Sequence, residues 1–170
     1  MDQRPIGVFD SGSGGLTAVR EIRSILPSEN IIYFGDTSRV PYGGRSPEIL
    51  LHYARQDVHF LRSFDVKALL VACGTVSTNA LPVLAAESDI PILGVVENYS
   101  YFQCPNCGEK HYIFGKSNLE QVAAELQVKV LAQIPMDPAM AAAMDQGAME
   151  TMEHNYLEPV ADAILAHEQG

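Results

Sequence analysis

Residues 90–97 read IPILGVVE, and the chain continues through residue 108 as NYSYFQCPNCG. From Ile92 to Val96 the run is apolar apart from one glycine. A run of this length and kind predicts a strand buried on both faces, because a parallel strand covered by helices above and below has no solvent side to alternate toward. It leaves the sheet through a polar turn and meets Cys-Pro-Asn-Cys. Similar runs, each ending at a polar residue or glycine, stand at Ile6 to Phe9, Ile31 to Phe34, Ala68 to Ala72 and Val130 to Ile134.

Helical patterns fill the gaps. Leu16, Val19, Ile22 and Leu26 recur at i, i+3, i+4 spacing, as do Leu50, Tyr53, Ala54, Asp57, Val58 and Leu61. Further stripes occur at Leu119, Val122, Ala123 and Leu126, and at Leu157, Val160, Ala161, Ile164 and Leu165. Each stripe gives a helix one face to lay on the sheet. Ser46 before Pro47 and Asp137 before Pro138 are N-cap signals with proline at the first helical position. Five strands alternating with helices predict right-handed βαβ units. The expected fold is α/β, a doubly wound, mostly parallel five-stranded sheet in flavodoxin-like order 2-1-3-4-5, within one domain over residues 1–170. Residues 99–114, rich in aromatics and turn formers, predict a protruding hairpin closed by the Cys-x-x-Cys turn, with Tyr99, Tyr101, Phe102, Tyr112 and Phe114 exposed unless the chain or a partner covers them.

The composition, 47% hydrophobic and 19% charged over 170 residues, is that of a globular chain able to bury a core. A formal charge of −10 argues against nucleic acid or an anionic membrane as partner, since phosphate binding relies on clustered Lys and Arg. No run approaches the roughly 18 apolar residues of a membrane span, and the start MDQRPIGVFD lacks the apolar stretch of a secretion signal. The expected location is the cytoplasm, and the expected partners are small molecules or proteins. There, three cysteines are free or metal-bound rather than paired in disulfides.

In doubly wound sheets ligands sit at the carboxyl ends of the strands. Those ends carry Asp10 and Ser11, Asp36 and Thr37, Cys73 and Thr75, and Glu97 and Asn98. The loop FDSGSGGLT is no phosphate cradle. Thr17 stands where a dinucleotide fingerprint needs its third glycine, no lysine follows as in a Walker loop, and Asp10 would repel phosphate. Small residues there also suit a tight strand-to-helix turn. Cys73 ends a strand just ahead of a helix start, where the helix dipole would lower its pKa and enrich the thiolate; the alternative is an inert buried cysteine.

The first part resembles the glutamate racemases of the cofactor-independent Asp/Glu racemase group. The resemblance runs over residues 1–97 through IGVFDSGSGGLTAVREI, IIYFGDTSRVPYGGRS, LLVACGTVSTNAL and IPILGVVE. It implies that Cys73 is one of two catalytic thiols and that Asp10 and Ser11 support proton transfer. It also implies that Pro41, Tyr42, Gly43 and Thr75 line an amino-acid or dicarboxylate pocket, with no cofactor needed for racemisation. Gly74 departs from the asparagine common in the family. Moving an α-proton from one face of a carbon to the other takes two bases, and the Gly-Cys-Thr-His segment that supplies the family's second thiol does not occur in this chain.

From Ile92 onward the text PILGVVENYSYFQCPNCGEKHYIFGKSNLEQVAAELQVKVLAQIPMDP resembles the C-terminal part of Mrp/ApbC-type iron-sulfur cluster carrier ATPases. That resemblance implies a zinc ion or an iron-sulfur cluster held by Cys104 and Cys107 across a homodimer, and a Walker loop that this chain does not match. Two thiolates are half of a tetrahedral site, which needs four ligands; His111 is a candidate third. The stretch IPILGVVE suits both families. The expectation is therefore a chimera joined at this strand, residues 1–97 racemase-like and 98–170 carrier-like, in which each ancestral reaction centre is incomplete.

Overall fold

The computed structural model describes residues 2–113, 115–125, 127–148 and 156–169. Leu126, expected on a helical stripe, and Phe114, expected among the exposed aromatics, lie outside them. In chain order the elements are β1 (Ile6–Asp10), α1 (Leu16–Ile25), β2 (Ile31–Gly35), α2 (Pro47–Arg62), β3 (Ala68–Val71), α3 (Gly74–Asn79), α4 (Leu81–Glu87) and β4 (Ile92–Glu97). There follow a small hairpin of β5 (Phe102–Gln103) and β6 (Lys110–His111), then α5 (Leu119–Glu125), β7 (Lys129–Gln133), α6 (Pro138–Asp145) and α7 (Glu158–Gln169). The main sheet runs β2-β1-β3-β4-β7 with every pairing parallel. This is the expected order, with β7 as its fifth strand. Among the described residues no helix is long and apolar enough to cross a membrane.

Both faces of the sheet are covered, which is why its strands read as unbroken apolar runs. Phe9, Leu69, Val71 and Val95 point to one side, into a core shared with Leu50, Ala54 and Leu61 of α2, Val76 of α3, Leu81 of α4 and Leu119 of α5. Val8, Leu70 and Val96 point to the other, against Ala18 and Ile22 of α1, Met140 of α6, and Val160 and Ile164 of α7. Each core therefore contains residues from both sides of residue 97. One polar contact also crosses the join, where the buried Glu21 Oε2 of α1 accepts the Leu157 N–H just ahead of α7 at 2.7 Å.

Two local expectations are corrected. The buried face of α1 is Thr17, Ala18, Glu21 and Ile22, while Leu16 is 38% exposed, because α7 packs on that helix one position round from the apolar stripe. Ser46 sits at the N-cap of α2 without capping it. It bonds instead to the Glu48 carboxylate, holding it below its usual range. Asp137 does cap, accepting the Ala139 N–H at 2.8 Å. Of the hairpin aromatics, Tyr101 is covered by the chain itself, whereas Tyr99 and Tyr112 are exposed.

The join depends on close approach. β4 lies between β3 and β7, and both pairings carry a register irregularity. A Cβ on Gly94 would meet Leu131 Cγ at 2.5 Å and the Lys129 carbonyl oxygen at 2.8 Å. Its neighbours Val95 and Val96 are fully buried, one on each face. Each is worth about 1.5–3 kcal/mol of apolar burial. Gly94→Ala is expected to destabilise the fold by about 1–3 kcal/mol, because a backbone oxygen in the partner strand has to move. Urea denaturation measures it, and an unchanged midpoint would show that β7 does not pack against β4 at this distance.

Candidate functional site

The carboxyl ends of β1, β3 and β4 converge on a cleft with two lobes. The inner lobe, about 280 Å³, is lined by Asp10, Ser11, Cys73, Gly74 and Thr75, with the loop 12–14 on one side and Asn98 and Tyr99 on another. The outer lobe, about 500 Å³, shares Gly74, Thr75, Asn98 and Tyr99 and extends along Tyr42 to Arg45 and across to Gly115 to Asn118.

Asp10 ends β1, is 6% exposed and accepts the Gly15 N–H at 2.8 Å, which ties the loop back over the strand. Burial pushes its carboxyl up, partly opposed by the Gly15, Ser11 and Gly12 N–H groups. Beneath the loop, the Tyr33 hydroxyl donates to the Gly12 carbonyl at 2.7 Å. Cys73 is the residue just before α3, 3% exposed, with its Sγ 3.2 Å from Ser11 Oγ. Burial, and then the Asp10 carboxylate, push the Cys73 thiol up. Of the two readings of Cys73, the buried cysteine fits this environment: α3 has only six residues, and desolvation dominates over the helix start. Gly74 leaves room, since a Cβ there meets nothing nearer than 3.7 Å.

The remaining expected pocket residues divide. Gly43 and Thr75 line the outer lobe, but Pro41 does not. The Pro41 carbonyl accepts Arg45 Nε at 3.3 Å. Tyr42 lines the lobe too, but its hydroxyl is turned into a buried network, hydrogen-bonded to Asp36 Oδ2 and 3.1 Å from Asp57 Oδ2. Arg39 bridges the same two carboxylates, at 2.9 Å to Asp36 and 3.4 Å to Asp57. Sequence reasoning missed this network and the outer lobe's far wall. Asp57 on an otherwise apolar stripe was its one visible sign.

Cys104 and Cys107 lie apart from this cleft. The turn is closed by Gly108 N–H to Cys104 carbonyl and Cys104 N–H to Glu109 carbonyl bonds, both 2.9 Å, with Gly108 at φ 74°. The N–H groups of Cys107 and Asn106 point at the Cys104 sulfur and lower its pKa. Cys104 lines a separate cavity of about 720 Å³ with Phe102, Met136, Pro138 and Tyr156. The pair fits the two-thiolate half of a tetrahedral metal site. Among the described residues no third His, Cys, Asp or Glu forms a group of three with it.

The Tyr42 hydroxyl carries one proton and faces two carboxylates, so it donates to Asp36 and accepts from Asp57 only when Asp57 is protonated. Burial, and then Asp36, push Asp57 up to about 6. The folded state therefore holds a proton that the unfolded chain releases near pH 4. Stability from this group is greatest at low pH, falls as pH rises from about 4 to 6, and stays reduced above that. Asp57→Asn, which is uncharged throughout, is expected to be more stable than the parent at about pH 8 and similar to it at about pH 4. Equal differences in urea midpoint at the two pH values would exclude a shared proton.

Against this geometry the comparisons separate along the chain. The model of the ParA family, described as NUBPL iron-transfer P-loop NTPase, matches residues 71–167. A glutamate racemase of Thermus thermophilus is 52% identical over 93 residues, covering 55% of this chain and 36% of the racemase. The chain thus spans little more than a third of that curated relative. The structure of the Francisella tularensis glutamate racemase with D-glutamate aligns with TM-score 0.55 at 28% identity, over 99% of this chain and 81% of that one. A nucleotide-binding protein from Archaeoglobus fulgidus, in complex with ADP, aligns with TM-score 0.51 over 91% of this chain and 79% of that one; at 18% identity it shares the fold alone. With the family match covering more than half of its residues, the chain belongs to the ParA family of NUBPL-type iron-transfer P-loop NTPases, and its additional likeness to glutamate racemases is that of a chimera of both.

Proposed function

We propose that this chain is a folded scaffold that binds an amino acid or dicarboxylate in the cleft beside Cys73 and has little or no racemase or ATPase activity. In this reading Cys73 is the one available base, Asp10 and Ser11 support it, and Gly43 and Thr75 line the ligand's place, with Tyr42 as a wall and Pro41 behind it. The observation that carries it is the placement of the thiols. Of the three cysteines only Cys73 lines the cleft, while Cys104 lines another cavity. One base can remove and return a proton on a single face, which does not invert the carbon. Cys73 is moreover held in its neutral form at neutral pH by burial and Asp10.

Losing one member of an acid–base pair costs about 10²–10⁴ in rate. Incubated with D-glutamate in deuterated buffer, the protein is expected to leave the optical signal unchanged, with α-deuterium at the buffer level. Formation of L-glutamate at ordinary enzymatic rates would overturn the scaffold reading in favour of a working racemase.

A second reading is supported by the Cys104–Cys107 turn, whose sulfur environment suits a bound cation. In it two copies of the chain, paired through their hairpins, hold one zinc ion or iron-sulfur cluster with four thiolates. Zinc added to metal-free protein is expected to bind at one ion per two chains and to shift the mass in sedimentation to that of a dimer. Cys104→Ser is expected to abolish both effects; one zinc per monomer, or none, would remove this reading.

A further inference from the structure

Resting on the amino-acid-binding reading, we propose that the outer lobe of the cleft is a second anion subsite, so that the site takes an acidic dipeptide rather than a free amino acid. The lobe adds about 500 Å³ to an inner lobe of about 280 Å³. A cleft of that extent lies within the range that larger small molecules occupy. Its two cationic side chains come from opposite walls, Arg45 from the loop before α2 and Lys116 from the loop before α5. Among the described residues Arg45 uses Nε alone, toward the Pro41 carbonyl, and Lys116 Nζ lies 5.5 Å from the Tyr112 ring centre, neither with a carboxylate partner there. In a chain of formal charge −10, two lining cations without a carboxylate partner among the described residues favour a carboxylate there.

The other lining groups fit the rest of such a ligand. On the lining of the outer lobe, the Thr75 hydroxyl and the Asn118 amide make no hydrogen bond to the described residues, and each can donate and accept as a peptide unit requires. Two acidic side chains face the cleft as well. Asp10 is in the inner lobe. Glu97 lines the outer one, where its Oε2 accepts Ser100 Oγ at 2.6 Å and Gln133 Nε2 at 2.9 Å. Asp10 suits the ligand's α-ammonium at the inner end, and both carboxylates disfavour a bare anion. Tyr99, at φ 56°, stands where the lobes meet and would lie along the peptide bond.

Calorimetric titration of the whole chain with γ-glutamyl-glutamate, glutamate and inorganic phosphate tests this. The dipeptide is expected to bind at least about tenfold more tightly than glutamate, with phosphate failing to displace it at equal concentration. Arg45→Gln with Lys116→Gln, both exposed positions, is expected to remove that tenfold preference. Lys110→Gln, on the hairpin over the Tyr101 ring, is expected to leave it intact. Equal affinity for dipeptide and glutamate, displacement by phosphate, or a preference that survives the double substitution would each overturn the subsite while leaving amino-acid binding in place. Binding of neither ligand would overturn both readings.

Discussion

A strand that must be apolar on both faces and narrow at one point governs this molecule. β4 hydrogen-bonds to β3 on one edge and β7 on the other. At Gly94 the β7 backbone approaches so closely that any side chain would collide with it. Val95 and Val96 then send one isopropyl group into each core. Such a strand asks little of its neighbours beyond volume and backbone pairing, since cores accept apolar rearrangement when total volume is kept. That tolerance explains how text resembling two families can share one sheet. The helices respect it too, for α7 packs on α1 and α5 joins the core of α2 and α3.

The same geometry determines where chemistry can occur. Parallel strands deliver their carboxyl ends to one edge, so the β1, β3 and β4 termini bring Asp10, Cys73 and Asn98 together whichever part of the chain each comes from. Beyond β4 the chain turns away into the hairpin, and its thiols leave that edge. The loop before α5 returns to it, carrying Lys116 and Asn118 but no cysteine. A reaction that needs two thiols facing each other is thereby left with one, while binding, which needs only complementary polar groups, gains a new wall.

Strand order and covering helices were legible because period and length encode burial directly: Ile6 to Phe9 and Ala68 to Ala72 have no other stable use than in a doubly covered sheet. The Asp137 cap was legible because it is a contact two residues long. What escaped the sequence depends on residues distant in the chain. The α1 face is selected by α7, more than a hundred residues later. The Cys73 thiol looked activated beside a helix start, but its protonation depends on burial and on Asp10 of β1. Tyr42 lines the outer lobe, but the claim of Asp36 and Asp57 on its hydroxyl joins three separate stretches of the chain and is not written in any one of them.

That claimed hydroxyl bears on how firmly the cleft is built. Tyr42 begins the stretch that lines the outer lobe, and its anchor is a cluster of two carboxylates, one phenol and Arg39. Buried charge of this kind stabilises little in total, because desolvation offsets the attraction, yet losing one partner leaves the others unpaired at several kcal/mol. An apolar anchor would hold the loop equally well while tolerating sliding; a network with fixed donor directions tolerates very little. The wall of the cleft on the racemase-like side is thus positioned by directional bonds. Opposite it, Gly115 at φ 82° donates its N–H to the Tyr112 carbonyl at 3.0 Å, and Lys116 Nζ lies 5.5 Å from the Tyr112 ring centre, so that wall is tied to the end of the hairpin.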